Sequence, residues 1–219
     1  MRRSRISTVV AVALGVALIT GNPAAQAAPA WDGSSQRLSE TLKDRMRGSS
    51  WHEGCPVRLR DLRLLEVPYW GFDGDVHHGR MVVNEHYDGR VLRVLHRLYD
   101  AKFKIRRMRL VDYYGGSDDR SMKANNTSAF NCRRVAGTNR WSEHAYGRAI
   151  DINPVQNPYV RGGTIEPEAG ERYLDRDDVR KGMVVRPGPV VRAFSRVGWE
   201  WGGDWQSSKD YQHFSSTGR

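Results

Sequence analysis

Leu38, Leu42 and Met46 recur at every fourth position of an otherwise polar run. That period predicts an amphipathic helix over 36–47, with Ser35 as its cap and Gly48 as its stop. Residues 28–35 contain Pro, Gly and Ser and read as a flexible leader. A β-rich stretch over 60–70 predicts a strand, and Pro68 places it at a sheet edge or near a strand end. Gly71-Phe72-Asp73-Gly74 is a turn, and 76–83 is the returning strand of a hairpin. Asn84 can cap a helix over 85–103, in which Leu92, Leu95, Tyr99 and Phe103 share a face with Val91 and Leu98 beside it.

Ile105, Met108 and Leu110 lie in a stretch without turn residues, so 105–113 reads as a central strand. Gly115-Gly116-Ser117-Asp118 ends it. One or two helical turns follow over 119–125, then a strand over 127–133 that carries Cys132. Residues 153–188 are the least regular part of the chain and read as a lid or rim with one short helix near 175–181. Pro189 suits the first turn of a last helix with Val190, Val191, Phe194 and Val197 on one face and Gly198 as its stop. Trp199-Glu200-Trp201 reads as a short strand. Strands and helices are mixed without a βαβ rhythm, so the expected class is α+β: a single domain with a central, mostly antiparallel sheet flanked by helices.

The first residues change the picture of where the chain works. Arg2, Arg3 and Arg5 precede a short apolar run, and Ala25-Gln26-Ala27 fits a small-residue cleavage site. Residues 1–27 therefore read as an export signal, with 28–50 as leader and helix and 51–219 as the main domain. The protein is expected outside the cytoplasm, at the cell wall, as a monomer with no membrane span in the mature chain. In an oxidising space, Cys55 and Cys132 are expected to form a disulfide.

The formal charge is +10 over 219 residues, and the signal would take three Arg and no acid with it. Basic and acidic residues alternate over 58–63 and 172–181. A nucleic-acid surface would instead cluster its charge among aromatics, so no nucleic-acid partner is expected.

The chemistry concentrates in Trp141-Ser142-Glu143-His144-Ala145-Tyr146-Gly147-Arg148-Ala149-Ile150-Asp151-Ile152. Asp151 stands between two isoleucines, as a strand residue pointing away from its apolar neighbours. A buried carboxylate needs a strong partner, and a metal supplies one. Near the end of the chain, Asp210-Tyr211-Gln212-His213-Phe214 again sets an acid close to a histidine. His144, Asp151 and His213 would give zinc three ligands and leave a fourth position for water. Asp210 would take that water's proton. His52, His77, His78, His86 and His96 read as surface or packing residues.

Ser142-x-His144-x-x-Gly147-x-Ala149-x-Asp151 followed by Asp210-x-x-His213-Phe214 resembles the M15 zinc peptidases. This group contains D-Ala-D-Ala carboxypeptidases, D-Ala-D-Ala dipeptidases and L-alanyl-D-glutamate endopeptidases. Gly54-Cys55-Pro56, Tyr69-Trp70-Gly71-Phe72, Ile152-Asn153-Pro154 and Trp199-Glu200-Trp201-Gly202-Gly203 extend the likeness. It implies a fold like the D-Ala-D-Ala peptidases and Hedgehog-type domains, with one zinc ion on the sheet. It also implies His144, Asp151 and His213 as ligands and Asp210 as base.

Asp rather than Glu three residues before the last histidine looks more like the endopeptidase branch of the family. The family's upstream Tyr/Phe-Arg dipeptide is missing; Arg133 and Arg120 are candidates for its substrate-orienting role, with Arg133 preferred, and Ser142 is a weaker substrate-binding candidate. The implied activity is hydrolysis of peptide bonds in peptidoglycan stem peptides. The rivals are a non-catalytic wall-binding module on the same fold and a zinc amidase or hydrolase of another bond.

Overall fold

A computed structural model describes residues 29–219; the export signal expected over 1–27 lies outside the described residues. The first sheet is antiparallel, in the order β1 (Ser34–Arg37), β2 (Leu62–Trp70), β3 (Val76–Asn84). Strand alternation sends its side chains to two cores. Leu65, Val67, Met81 and Val83 enter one, while Leu62, Leu64 and Val82 enter the other.

The second of these cores is closed by α1 (Glu40–Arg47) through Leu42 and Met46. The helix starts later than its apolar period predicted. Ser39 is the cap and accepts the Leu42 N–H, because Ser34–Arg37 pair with Arg63–Glu66 as β1. The expected flexible leader is thus partly strand. Upstream of it, Trp31 stacks on His96, with ring centroids 4.8 Å apart, and the Tyr99 hydroxyl donates to the Pro29 carbonyl. Gly48 ends α1 as expected. Pro68 sits in β2 beyond the reach of β1, where no neighbour on that side needs its missing N–H.

The larger core lies between the first sheet, α2 (Asp88–Asp100) and α4 (Pro189–Ser195). α2 begins three residues later than predicted. Asn84 ends β3 and forms the intervening turn, its Oδ1 accepting from His86 N and its carbonyl from Tyr87 N. Val91, Val94, Leu95, Leu98 and Tyr99 are its buried residues, with Leu92 and Phe103 at the margin. α4 has Pro189 in its first turn and buries Val190, Val191 and Phe194.

The strand expected over 105–113 is absent. Ile105, Met108 and Leu110 are buried as expected, but the segment makes only isolated bridges and then coils into a 3-10 turn at Val111–Tyr114. α3 (Asp118–Lys123), capped by Ser117, supplies the short helix predicted after it. Residues 127–133 run extended but do not form a strand. They lie between two sheets: Phe130 N donates to Val82 of β3, and Ser128 exchanges both backbone bonds with Asp151. The Cys55–Cys132 disulfide ties this segment to the chain before β2.

The rest of the antiparallel pairing is divided between two small sheets rather than joined in one central sheet. One has β4 (Ala149–Asp151) and β7 (Glu200–Trp201) on either side of β9 (His213–Ser215). The other has β6 (Thr164–Glu166) and β8 (Lys209–Asp210) flanking β5 (Tyr159–Arg161). The α+β class holds. The irregular stretch therefore carries a hairpin and a 3-10 segment, Glu168–Tyr173, and no helix over 175–181. There Asp175 accepts the N–H groups of Asp177 and Asp178, a local turn that competes with a helix. No helix among the described residues is long and apolar enough to cross a membrane.

Candidate metal centre

Each of the four polar side chains at the centre is aimed by a different local device. Ser142 caps a 3-10 turn, Glu143–Tyr146, and its Oγ accepts the His144 N–H. Gly147 ends that turn in the left-handed region at φ 65°, pressed against the backbone of Asn84, where a Cβ would come within 2.6 Å of the Asn84 nitrogen. The chain then enters β4 directly, with Ile150 and Ile152 fully buried and Asp151 on the opposite side. Asp151 and His213 are register partners across β4 and β9.

The three residues converge. His144 Nε2 lies 3.1 Å from Asp151 Oδ2, His213 Nδ1 lies 3.0 Å from Asp151 Oδ1, and the two ring nitrogens are 3.3 Å apart. All three side chains are buried. The outer nitrogen of each ring is held by a main-chain oxygen: His144 Nδ1 donates to Ala129 at 2.6 Å and His213 Nε2 to Arg219 at 3.0 Å. Those bonds turn His144 Nε2 and His213 Nδ1 inward, toward Asp151.

Charge follows geometry. Burial alone would raise the Asp151 carboxyl, but the charges and hydrogen bonds of His144 and His213 outweigh it and hold the group well below the usual carboxylate range. Burial would lower His213, and the hydrogen bond and charge of Asp151 instead push it up to about 9. Without a metal, a proton on His213 does the work of a cation.

Asp210 stands beside this cluster. Its Oδ1 is shielded from solvent and has no hydrogen-bond partner. Burial and the neighbouring Asp151 charge push its carboxyl up to about 7, against the opposing pull of His213, His144 and Arg133. Gly202 packs on it so closely that a Cβ there would lie 2.7 Å from the Asp210 carbonyl oxygen and 2.8 Å from its Cβ.

Two imidazole nitrogens and a carboxylate oxygen, all within 4.8 Å of one another, are a donor set that suits zinc, and the unpartnered Asp210 oxygen beside them lacks only something to bind. His52, Cys55 and Cys132 also come together, but both sulfurs are spent in the disulfide.

The remaining candidates are placed differently. Arg133 is half-buried, fixed to Asp118 at 2.8 Å, with its Nε shielded and unpartnered. Arg120 is exposed, with its guanidinium folded against Gly115. Ser142 is buried as a cap. The main-chain oxygens of Ala129 and Arg219 escaped the sequence reading, since a backbone acceptor leaves no residue-type signal. So did Glu143, which is buried and anchored by Arg148 at 2.6 Å and by the Thr217 hydroxyl at 2.8 Å.

A three-ligand cluster with an adjacent acid is the side-chain arrangement that metal-dependent hydrolases use. A family model described as D-alanyl-D-alanine carboxypeptidase matches residues 136–216 and supports membership of the M15 peptidases. That span contains His144, Asp151, Asp210 and His213. No curated protein and no solved structure matches the chain.

Proposed function

We propose that the protein is a zinc peptidase, secreted after removal of 1–27, that hydrolyses peptide bonds in the stem peptides of peptidoglycan. The observation that carries this reading is the unpartnered, buried Asp210 oxygen beside the His144–Asp151–His213 cluster. A purely structural cluster has no need of a second acid raised to about 7. His144, Asp151 and His213 would hold the ion, which when bound polarises a carbonyl and acidifies water.

Asp210 would take a proton from the attacking water and deliver it to the departing amine; a group that titrates near neutrality can do both. Arg133, braced by Asp118, would orient the substrate's carbonyl or carboxylate through its guanidinium. Ser142 serves through the cap that sets His144. Asp at position 210 favours the endopeptidase branch, so the expected cut follows L-Ala. Digestion of purified peptidoglycan with mass spectrometry of the fragments tests this. Fragments cut after L-Ala support the endopeptidase, released D-Ala selects a carboxypeptidase, and intact muropeptides with zinc bound overturn the proposal.

A further inference from the structure

Lys102, Lys104, Arg106, Arg107 and Arg109 fall within eight residues that contain no acid. Ile105 and Met108 of this segment point into the core, which leaves the cations on the outside. Among the described residues, none of these five has a carboxylate within ion-pair distance.

Arg106, Arg107 and Arg109 line a polar cleft of about 290 Å³ with Tyr69, His77 and His78 at the end of the β2–β3 hairpin. Asp73, the carboxylate in that lining, is held by His77 at 2.8 Å, and His78 faces Asp32 at 3.5 Å. The arginines stay without a counter-charge. Their backbone is firm: Arg106 N donates to Asn153 Oδ1 at 2.9 Å, two residues past Asp151, and Arg80 N donates to the Met108 carbonyl. Guanidinium forks on a fixed backbone match the oxygens of phosphate or carboxylate.

The aromatic rings here are already covered. Lys104 and Lys102 lie over Trp70 at 4.7 and 5.4 Å, Lys181 lies over Phe72 at 5.5 Å, and His77 stacks on Tyr69. These contacts compete with a base for the ring faces, which disfavours a nucleic acid. The length of the run, Lys102 to Arg109, favours a chain of charges over a single ion.

We propose that this cleft and its flanking lysines bind a linear, phosphate-bearing polymer without bases, holding the protein against an anionic surface beside the metal centre. The test is titration of the intact protein with inorganic polyphosphate, poly-glutamate and a single-stranded DNA oligomer of equal charge. Polyphosphate is expected to bind at least about tenfold more tightly than the other two. R106Q/R109Q should weaken it by about tenfold or more, whereas R192Q/R196Q, which removes two exposed arginines at the C-terminal end of α4, should change it by less than about threefold.

Equal losses in the two double variants would mean diffuse charge and overturn the proposal. Tighter binding of DNA or poly-glutamate, or no binding of polyphosphate, would overturn it as well. If R106Q/R109Q loses its folded circular-dichroism signal, Lys102→Gln/Lys104→Gln carries the same expectation.

Discussion

Asp151 and His213 face each other across the β4–β9 pair, with Oδ1 and Nδ1 3.0 Å apart, and His144 closes on the same carboxylate from the preceding turn. Loss of either histidine leaves two ligands, too few to hold an ion tightly. His213→Ala should therefore lower zinc affinity by more than the ~10–100-fold that removal of an outer-sphere partner costs. Metal content after dialysis measures it, and one full equivalent of zinc on the variant would remove His213 from the site.

Stability of the metal-free protein should depend on pH in a defined way. His213 is raised to about 9, so its contribution is complete below the ordinary histidine value of about 6.5 and is lost as pH climbs through 9. Asp210 is raised to about 7, and its contribution likewise disappears as pH rises through 7. Asp151 is depressed and loses its contribution only in acid. The melting temperature in chelator should fall between pH 6 and 9.5, with the His213 part equivalent to roughly 3 kcal/mol at most. Asp210→Asn should remove the part of the fall near pH 7, and a flat profile would contradict the burial of these groups.

Gly202→Ala places a methyl group against the Asp210 carbonyl oxygen and 3.3 Å from His213 Cβ. Overpacking of this kind costs about 1–3 kcal/mol. The larger effect should be on turnover, because Asp210 is pushed off its position while the histidines keep their backbone-held rings. Turnover measured at saturating zinc should fall at least about tenfold, since small misplacements of a reacting group are costly. Unchanged turnover would show that Asp210 needs no such placement.

The motif chemistry was readable because its residue types sit in short, ordered spacings. Ser142 to Asp151 is one turn and one strand, and Asp210 to His213 is another short segment. Their meeting across β4 and β9 rested on the chemistry of the donor set and on the resemblance, not on spacing, because 59 residues separate the two runs. Apolar period found the buried faces of α1, α2 and α4 well, and the starts of α1 and α2 less well, since Ser35 was taken by β1 and Asn84 by a turn. The segment over 105–113 has strand-like composition but meets its neighbours only through isolated bridges. The β5–β6 hairpin was hidden in residues rich in Pro and Gly. The unpaired cations of 102–109 went unnoticed for a different reason: whether a charge is neutralised depends on distant residues.

Arg176 anchors the irregular stretch behind the site. Its guanidinium donates to the carbonyls of Gln156, Tyr173 and Val184 and to Asn157 Oδ1, and it lies 4.3 Å from the Tyr211 ring centroid. Burial pulls this group down to about 10. Arg176→Met would take this donor from three carbonyls, while Asn157 Oδ1 keeps the Val184 N–H, and should destabilise the protein by about 2–4 kcal/mol in denaturant unfolding. A change below about 0.5 kcal/mol would mean that water replaces those bonds freely.

Removing the Cys55–Cys132 bridge frees a 77-residue interval in the unfolded chain. The double Cys→Ser variant should lose up to about 4.5 kcal/mol by the loop-entropy relation. Because Cys132 adjoins Arg133, the variant should also raise KM more than it lowers kcat. Thermal unfolding and steady-state kinetics separate the two effects, and an unaltered melting temperature would show that the backbone bond from Cys132 to Ser50 suffices.

The most direct test of the account is zinc titration of the metal-free protein with hydrolysis of a stem peptide as the readout. Turnover should rise from zero to a plateau at one equivalent of zinc, and Asp210→Asn should bind that equivalent and remain inactive. Hydrolysis without zinc, or undiminished hydrolysis by Asp210→Asn, would contradict it.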